Sequence, residues 1–485
     1  MSDKIENGQA TSLVRALGPI DATMIVMGSM IGSGIFITSA ESARLIGAPG
    51  WLLRAWGVAG LMTITGALCC AELATMMPRA GGVYVFLREA YGPPLGFLFG
   101  WTLFLVVQTG TIAAVAIAFG KFLGVFIPAV ASDNYLVAPI SLSRGYAISL
   151  SMEQVVAIGL IALLTWTNTR GLQIGKLVQN TFTFAKTAAL AAVVVVGLAL
   201  GWSANSAARS AEWWNSWTNG WSPQIAQPGF TIVGGLALAL LFGKAMVGPL
   251  FAQTAWTNVT FIGSEVREPG KNLSRALLFG CGIVVVLYVL ANVAYLSVLP
   301  VEEIRHSKLV AADVADKLVG VAGVAFVSIA VMISTFGTLN GSVMTGSRIL
   351  FAMAADGALF KPIAIVHPRF QTPSVAIALE AGLGVVFVLL GTFEQLADTF
   401  VTAIVPFYAL AVAAVFILRR KPGYQPPFRV PGYPVVPAIF IVATILLLGN
   451  AIVDPSSRVP TLGVIGVILL GIPVYFIRGA VQRRA

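Results

Sequence analysis

A chain that lays down one block of about twenty apolar residues after another has few folds open to it, because each block is long enough to cross a bilayer as a helix. Twelve such blocks can be drawn here, at 20–45, 51–77, 94–127, 152–169, 179–203, 230–263, 275–298, 323–353, 373–391, 398–418, 437–453 and 461–477. They are numbered below as spans 1 to 12. Only 10% of the 485 residues are charged, too few to cover a soluble protein of this length. The expected fold class is an all-α integral membrane protein with 12 transmembrane helices.

An even number of spans puts both termini on one side, and the basic residues say which. With the termini inside, the inner segments carry 18 Lys and Arg and the outer ones 9, while Lys186, Lys244 and Arg348 fall within spans. Lys and Arg favour cytoplasmic loops. Both termini are therefore expected in the cytoplasm, with the chain multi-pass in a plasma (inner) membrane. The net charge of +10 needs no nucleic acid to explain it. Cys69, Cys70 and Cys281 all lie in apolar runs, so there is no disulfide framework. The polar start, 1–19, has no signal-peptide pattern, and span 1 is expected to serve as the insertion signal.

Three loops have character of their own. "PRAGGVYVFLREAYGPP" after span 2 is amphipathic and predicts a short helix at the cytoplasmic surface. The outer loop 204–229 and its approach hold Trp202, Trp213, Trp214, Trp217 and Trp221, a cluster suited to the headgroup layer. Residues 299–322 predict one or two short helices over the outer face.

Spans 1–5 cover 20–203 and spans 6–10 cover 230–418, two stretches of nearly equal length. Five is odd, so the second set would lie inverted relative to the first, with 419–485 adding spans 11 and 12. Inverted repeats of this kind build many secondary transporters, and matched interruptions in corresponding spans point to the binding site. Span 1 holds "MGSMIGSGIFITSA" from residue 27, with three glycines and two serines between Gly28 and Gly34. Span 6 holds Gly248-Pro249 followed by Gln253, Thr254, Thr257 and Asn258. Proline lacks the amide hydrogen and clashes with the preceding turn, so span 6 is expected to break near Gly248-Pro249. Glycines at this spacing also serve close helix packing, and both roles can hold together.

Unwound backbone leaves N–H and C=O groups that lipid cannot satisfy, so it survives only where it lines a cavity or is buried in protein. The half-helix starting after Ser33 offers amide donors and a positive dipole end, suited to a carboxylate. The half-helices ending near Ile31 and Phe251 offer carbonyls, suited to an ammonium. Together they would receive a zwitterion, an α-amino acid.

These residues resemble a known family. "MIGSGIF" in span 1 is similar to the amino acid–polyamine–organocation (APC) superfamily. Its L-type amino-acid transporter (LAT) branch is resembled along most of the chain, through "GALCCAELATMMPRAGGVYVFLREAYG", "FAKTAALAAVVVVG", "FAQTAW" with "EVREPGKNL", "STFGTLNGSVMTGSRILFAMAADGALF" and "GIPVYF". The resemblance implies a LeuT-type 5+5 inverted repeat with discontinuous helices 1 and 6 and two extra C-terminal helices, working by alternating access. It implies a substrate site made of Met30, Ile31, Gly32, Ser33, Gly34, Phe251, Ala252 and Thr254. The carboxylate would meet Ser33 and Gly34, the ammonium the carbonyls of Met30, Ile31, Phe251 and Thr254, and the Phe251 ring would gate the site. The branch usually has an aromatic-Gly-Gly-Trp run where Gln253-Thr254-Ala255-Trp256 stands. The bulkier Thr254 and Ala255 should shrink the pocket, toward substrates such as alanine, serine or threonine. Eukaryotic members carry an outer-loop cysteine that bonds an accessory glycoprotein; this chain has none there, so no disulfide-linked accessory subunit is expected.

Lys186 lies in the middle of span 5 with long apolar stretches on both sides. A lysine at that depth costs about 2.5–3.5 kcal/mol on insertion scales, and intramembrane ionisable residues are functional by default. In the resembling family this lysine replaces a sodium ion between spans 1 and 8, which implies Thr338 and Ser342 as its neighbours and sodium-independent exchange. A proton-coupled symporter is the alternative. Among other charged groups, Glu72 and Arg348 near inner ends are read as structural. Lys244 is read as snorkelling, and Glu380 as a paired buried acid with a proton carrier as the alternative. Gln108 in span 3 lines the pocket or bonds a neighbouring helix.

Other classes fit less well. The two histidines, His306 and His367, fall in loops and form no zinc pattern. "GLQIGK" is too short for a phosphate loop. An enzyme, a metal or a cofactor is thus not expected. A channel needs no paired breaks. A polyamine or cationic amino-acid carrier is the nearest rival, but neither broken segment holds an acidic residue to read a second positive charge.

Overall fold

The fold is taken from a computed structural model, which describes residues 13–143, 146–215, 235–390 and 393–482. The N-terminal tail to residue 12, Trp217, Trp221 and the start of span 6 at 230–234 lie outside the described residues. Among the described residues, ten helices are long and apolar enough to cross a membrane. Two more helices stand at the places of spans 4 and 9, Met152–Thr169 and the shorter apolar Ser374–Leu390.

Prolines set several of the helix starts. Pro19, Pro49, Pro93 and Pro269 each occupy a first turn, where the missing amide hydrogen costs nothing and φ is already helical. Span 1 begins at Pro19, and the Asp21 carboxylate accepts from the Gly18 amide at 2.8 Å. Span 5 runs unbroken from Leu172 to Ala204, and span 8 from Val321 to Ala355. The loop after span 2 forms the helix Val83–Tyr91, and the segment after span 7 forms Val301–His306 and Val310–Val319. Between spans 3 and 4, Tyr135–Ser143 pairs antiparallel with Tyr146–Ser151 as a two-stranded hairpin.

Span 1 sits at the centre and spans 11 and 12 at the rim. The most apolar 18-residue stretch of span 1 is 83% buried inside the protein, against 17% for each of the last two spans. The first half of span 1, Pro19–Met30, packs on spans 5, 7 and 8. Its second half, Gly34–Leu45, packs on span 6 and on the two short helices after span 7. Span 8 lies along spans 3 and 5, and span 9 against spans 3 and 4.

Ion pairs pin the helix ends. Glu72 of span 2 accepts from Arg419 at 2.8 and 2.6 Å and from the Val430 amide at 2.7 Å. Arg348 of span 8 holds Glu265 at 2.9 and 3.3 Å, both side chains buried. The backbone carbonyl of Glu265 takes the amides of Ala16 and Leu17 at 3.0 Å, which straps the entry to span 1 onto the exit from span 6. Asp356, just beyond span 8, accepts from Tyr84 at 2.9 Å and from Arg88. Burial and then the Asp356 charge push the Tyr84 hydroxyl above its ordinary pKa. Lys244 pairs with Asp454 at 3.1 Å, at the head of the last helix.

Candidate functional site

Span 1 is interrupted at 31–33. The helix Pro19–Met30 ends, Ile31 turns away at ψ 87, and a second helix starts at Gly34 with Ser33 as its N-cap. The first amides of any helix lack an internal acceptor. Here those of Ser33, Gly34 and Ile35 have none among the described residues. The hydroxyls of Ser29 and Ser33 are buried and likewise lack partners. Four donors, the three amides and the Ser33 hydroxyl, are thus left at the positive end of a helix.

The carbonyls of the same break are not left over. Gly28 accepts from Lys186 Nζ at 2.5 Å and Ile31 from the Thr338 hydroxyl at 2.9 Å. Ser334 donates to the Ile31 carbonyl at 2.9 Å, and Tyr288 of span 7 to the Met30 carbonyl at 2.8 Å. Three neighbouring spans therefore complete the unwound segment on its carbonyl side.

Lys186 is fully buried and has no ion-pair partner among the described residues. Its amino group meets the Gly28 carbonyl, the Thr338 hydroxyl at 2.9 Å and the Ser334 carbonyl at 3.4 Å. Three acceptors match the three N–H groups of an ammonium. Thr338 stands beside it as the sequence suggests, but Ser342 does not. The Ser342 carbonyl accepts from Gln108 Nε2 at 2.8 Å instead, because it lies one turn further along span 8. Ser334 and Tyr288 were not picked out from the sequence. Ser334 could have been, since it precedes Thr338 by four residues on one helix face. Tyr288 carries no signal beyond being a polar tip in an apolar run.

Span 6 breaks later than expected. Gly235–Ala245 and Val247–Gln253 are separated only by Met246, and the chain leaves the helix at Thr254, re-entering at Asn258–Phe261. Pro249 does not break the span because it lies in the first turn of the second piece. The carbonyl that its amide would have bonded, that of Ala245, is taken by the Ser42 hydroxyl at 2.7 Å. Gly248 is a packing glycine, since a Cβ there would lie 2.9 Å from Cβ of Thr38. The true turn is made by Ala255, a non-glycine at φ 66. The Phe251 carbonyl is capped from within by the Thr254 hydroxyl at 2.7 Å and amide at 3.3 Å. The carbonyls of Ala252 and Gln253 receive no donor among the described residues.

The two breaks touch. A Cβ on Gly34 would stand 2.7 Å from Cβ and 2.9 Å from Cα of Ala252, so the open amides of one half-helix lie against the open carbonyl end of another. Met30, Ile31, Ser33, Ala252 and Thr254 are buried, and Phe251 and Ala255 half-buried. A Cβ on Gly32 would meet only the Thr338 side chain, at 3.6 Å. Glu380 is buried but not paired, against expectation. It forms no ion pair among the described residues, and its Oε2 has no partner.

The family model described as "Amino acid permease" matches residues 17–472. The serine/threonine exchanger SteT of Bacillus subtilis (strain 168) is 30% identical over 477 residues, covering 98% of each chain. The large neutral amino acids transporter small subunit 2 of Homo sapiens is 30% identical over 475 residues, 97% of this chain and 81% of that one. The b(0,+)-type amino acid transporter 1 of Homo sapiens is 28% identical over 454 residues, 92% of this chain and 85% of that one.

Proposed function

Because the chain belongs to the amino acid permease family, in the LAT-like part of the APC superfamily, we propose that it is a sodium-independent exchanger of small neutral L-amino acids such as alanine, serine and threonine. It is a multi-pass membrane protein for amino-acid transport. On our reading it follows a 5+5 inverted plan, 20–203 and 230–418, with both termini in the cytoplasm, and works by alternating access.

One observation carries the proposal: the free amides of Ser33, Gly34 and Ile35 stand beside the open carbonyl end at Ala252 and Gln253. Donors at a helix N-terminus suit a carboxylate, and open carbonyls at a helix C-terminus suit an ammonium. We assign the ammonium to Ala252 and Gln253 ahead of Met30, Ile31 and Phe251, whose carbonyls already accept two bonds each and so have no lone pair to spare. Gly32 gives the bend, and Phe251 is the gate. Thr254 and Ala255, bulkier than the glycines of the resembling branch, favour short side chains, and the serine/threonine exchanger among the relatives supports this.

Sodium independence rests on Lys186. Its amino group already fills the oxygen cluster between spans 1 and 8 that a sodium ion would need. The three cysteines are buried, which supports work without a disulfide-linked accessory subunit.

The test uses purified protein in liposomes preloaded with unlabelled serine, with labelled serine, alanine, leucine, arginine or putrescine outside, with and without sodium. Serine and alanine should enter by counterflow regardless of sodium, and Ser33→Trp should stop entry while leaving the protein monodisperse. Equal counterflow by Ser33→Trp would remove the proposed site, and uptake that requires sodium would remove the proposed role of Lys186.

A further inference from the structure

Glu380 is left unexplained by exchange. Its carboxyl lies between span 9, which carries it, and spans 8 and 3. It sits against Gly346, where a Cβ would stand 2.0 Å from Oε1 and 2.5 Å from Cγ of Gln108. The glycine makes a niche for one carboxyl and one amide side chain. On the elements packed against span 9, the described charged side chains are Lys121 of span 3, Glu153 of span 4, Arg348 of span 8 and Lys361 of the turn Lys361–Ala364. Arg348 lies two residues beyond Gly346 on span 8, and its guanidinium is already bound by Glu265 and Ser347. A carboxylate in such a place, with one oxygen unpartnered, is an uncompensated buried charge. A neutral acid has a single O–H to place, beside the Gln108 amide.

The niche is joined to the substrate site. Ser334, Thr338, Ser342 and Gly346 follow one another at four-residue steps along span 8. The first two grip the Ile31 carbonyl, the third takes Gln108 through its carbonyl, and the fourth houses Glu380. Gln108 ends the π-helical stretch Leu103–Gln108 in the middle of span 3, a distortion found mostly at functional sites. A shift of span 1 on span 8 therefore acts on the niche through a single rigid helix.

We propose that Glu380 is a proton-binding site of the transport cycle, neutral in this arrangement and releasing its proton when spans 3 and 8 part, so that amino-acid entry carries a proton with it. Glu380 Oε2 holds the proton and gives it to water at the side then open. The proposal rests on the exchange reading and adds to it a proton that enters with one amino acid and stays behind when the other leaves; it does not depend on the identity of the amino acid.

The experiment loads liposomes holding the full chain with unlabelled serine and a pH-sensitive dye and adds labelled serine outside. Wild type should acidify the lumen in proportion to serine taken up, and Glu380→Gln should bring the acidification per serine to zero. Serine entry without acidification in wild type, or undiminished acidification per serine in Glu380→Gln, overturns the proposal. An infrared measurement keeps the question open to test if the variant folds poorly or serine is not carried. At neutral pH wild type should show the carbonyl stretch of a protonated, buried carboxylic acid, shifted in Glu380→Asp and lost in Glu380→Gln. Absence of that band in wild type would refute a neutral Glu380 whatever the fate of the exchange reading.

Discussion

The two interrupted spans solve one problem in opposite ways. Span 1 breaks at glycines and is held from outside, its carbonyls taken by Lys186, Tyr288, Ser334 and Thr338 on three other helices. Span 6 breaks at Thr254-Ala255 and is held mainly from within, Thr254 folding back on Phe251. An element tied to several neighbours moves only when they move. An element capped by itself can swing as a unit. On this view span 1 couples the site to the scaffold, and span 6 sets the shape of the pocket. Substitutions in span 1's supports should therefore cost transport, and those in span 6's turn should change stability and choice of substrate.

The largest effect is expected from Lys186→Met. The side chain is close in length but takes from the Gly28 carbonyl its shortest bond, at 2.5 Å, and leaves it only the Thr338 hydroxyl at 3.2 Å. Each buried acceptor left unmade costs about 1–3 kcal/mol, and at tenfold per 1.4 kcal/mol serine counterflow should fall about a hundredfold. Counterflow at wild-type rate by monodisperse protein would mean that span 1 does not need its outside support.

Next is Gly34→Ala, set against Gly32→Ala. The first puts a methyl group 2.9 Å from the Cα of Ala252, where backbone must give way. Overpacking of this kind costs about 1–3 kcal/mol, and because it parts the two half-helices, counterflow should drop about tenfold or more. The second meets the Thr338 side chain at an ordinary 3.6 Å and should retain most activity. A reversed order would show that the breaks do not meet at Gly34.

Thr338→Val comes third. It keeps the shape but removes the hydroxyl between Lys186 and the Ile31 carbonyl. Ser334 still serves Ile31, so the loss is the acceptor of one Lys186 N–H, at the low end of about 1–3 kcal/mol. Counterflow should fall about fivefold, well short of Lys186→Met.

The contrast also explains what could be read from sequence. The break in span 1 was legible because glycine and serine are rare together in an apolar run. The depth of Lys186 needed only the length of the apolar stretches around it. The break in span 6 was misplaced because proline is the louder signal. Only tertiary structure reveals that Ser42 takes the carbonyl orphaned by Pro249, and that Ala255 adopts a backbone usually left to glycine. Glu380 escaped for the opposite reason. Pairing is the ordinary fate of a buried acid, and the missing partner is visible only once Arg348 is seen bound to Glu265.

The smallest effect is the one that separates the two breaks most cleanly. Ala255 holds φ 66, a left-handed conformation that costs a residue with a Cβ about 1–2 kcal/mol. Glycine removes that cost but loses more chain entropy on folding, about 0.5–1 kcal/mol. Ala255→Gly should therefore stabilise by no more than about 1.5 kcal/mol and raise the melting temperature by a few degrees at most. It also removes a half-buried methyl group beside Thr254, and leucine should begin to compete with serine for counterflow. Raised stability with broadened choice would mark span 6's turn as strained backbone that narrows the pocket. A lowered melting temperature would mean that the alanine methyl packs better than its backbone strain costs, and that the pocket is shaped elsewhere.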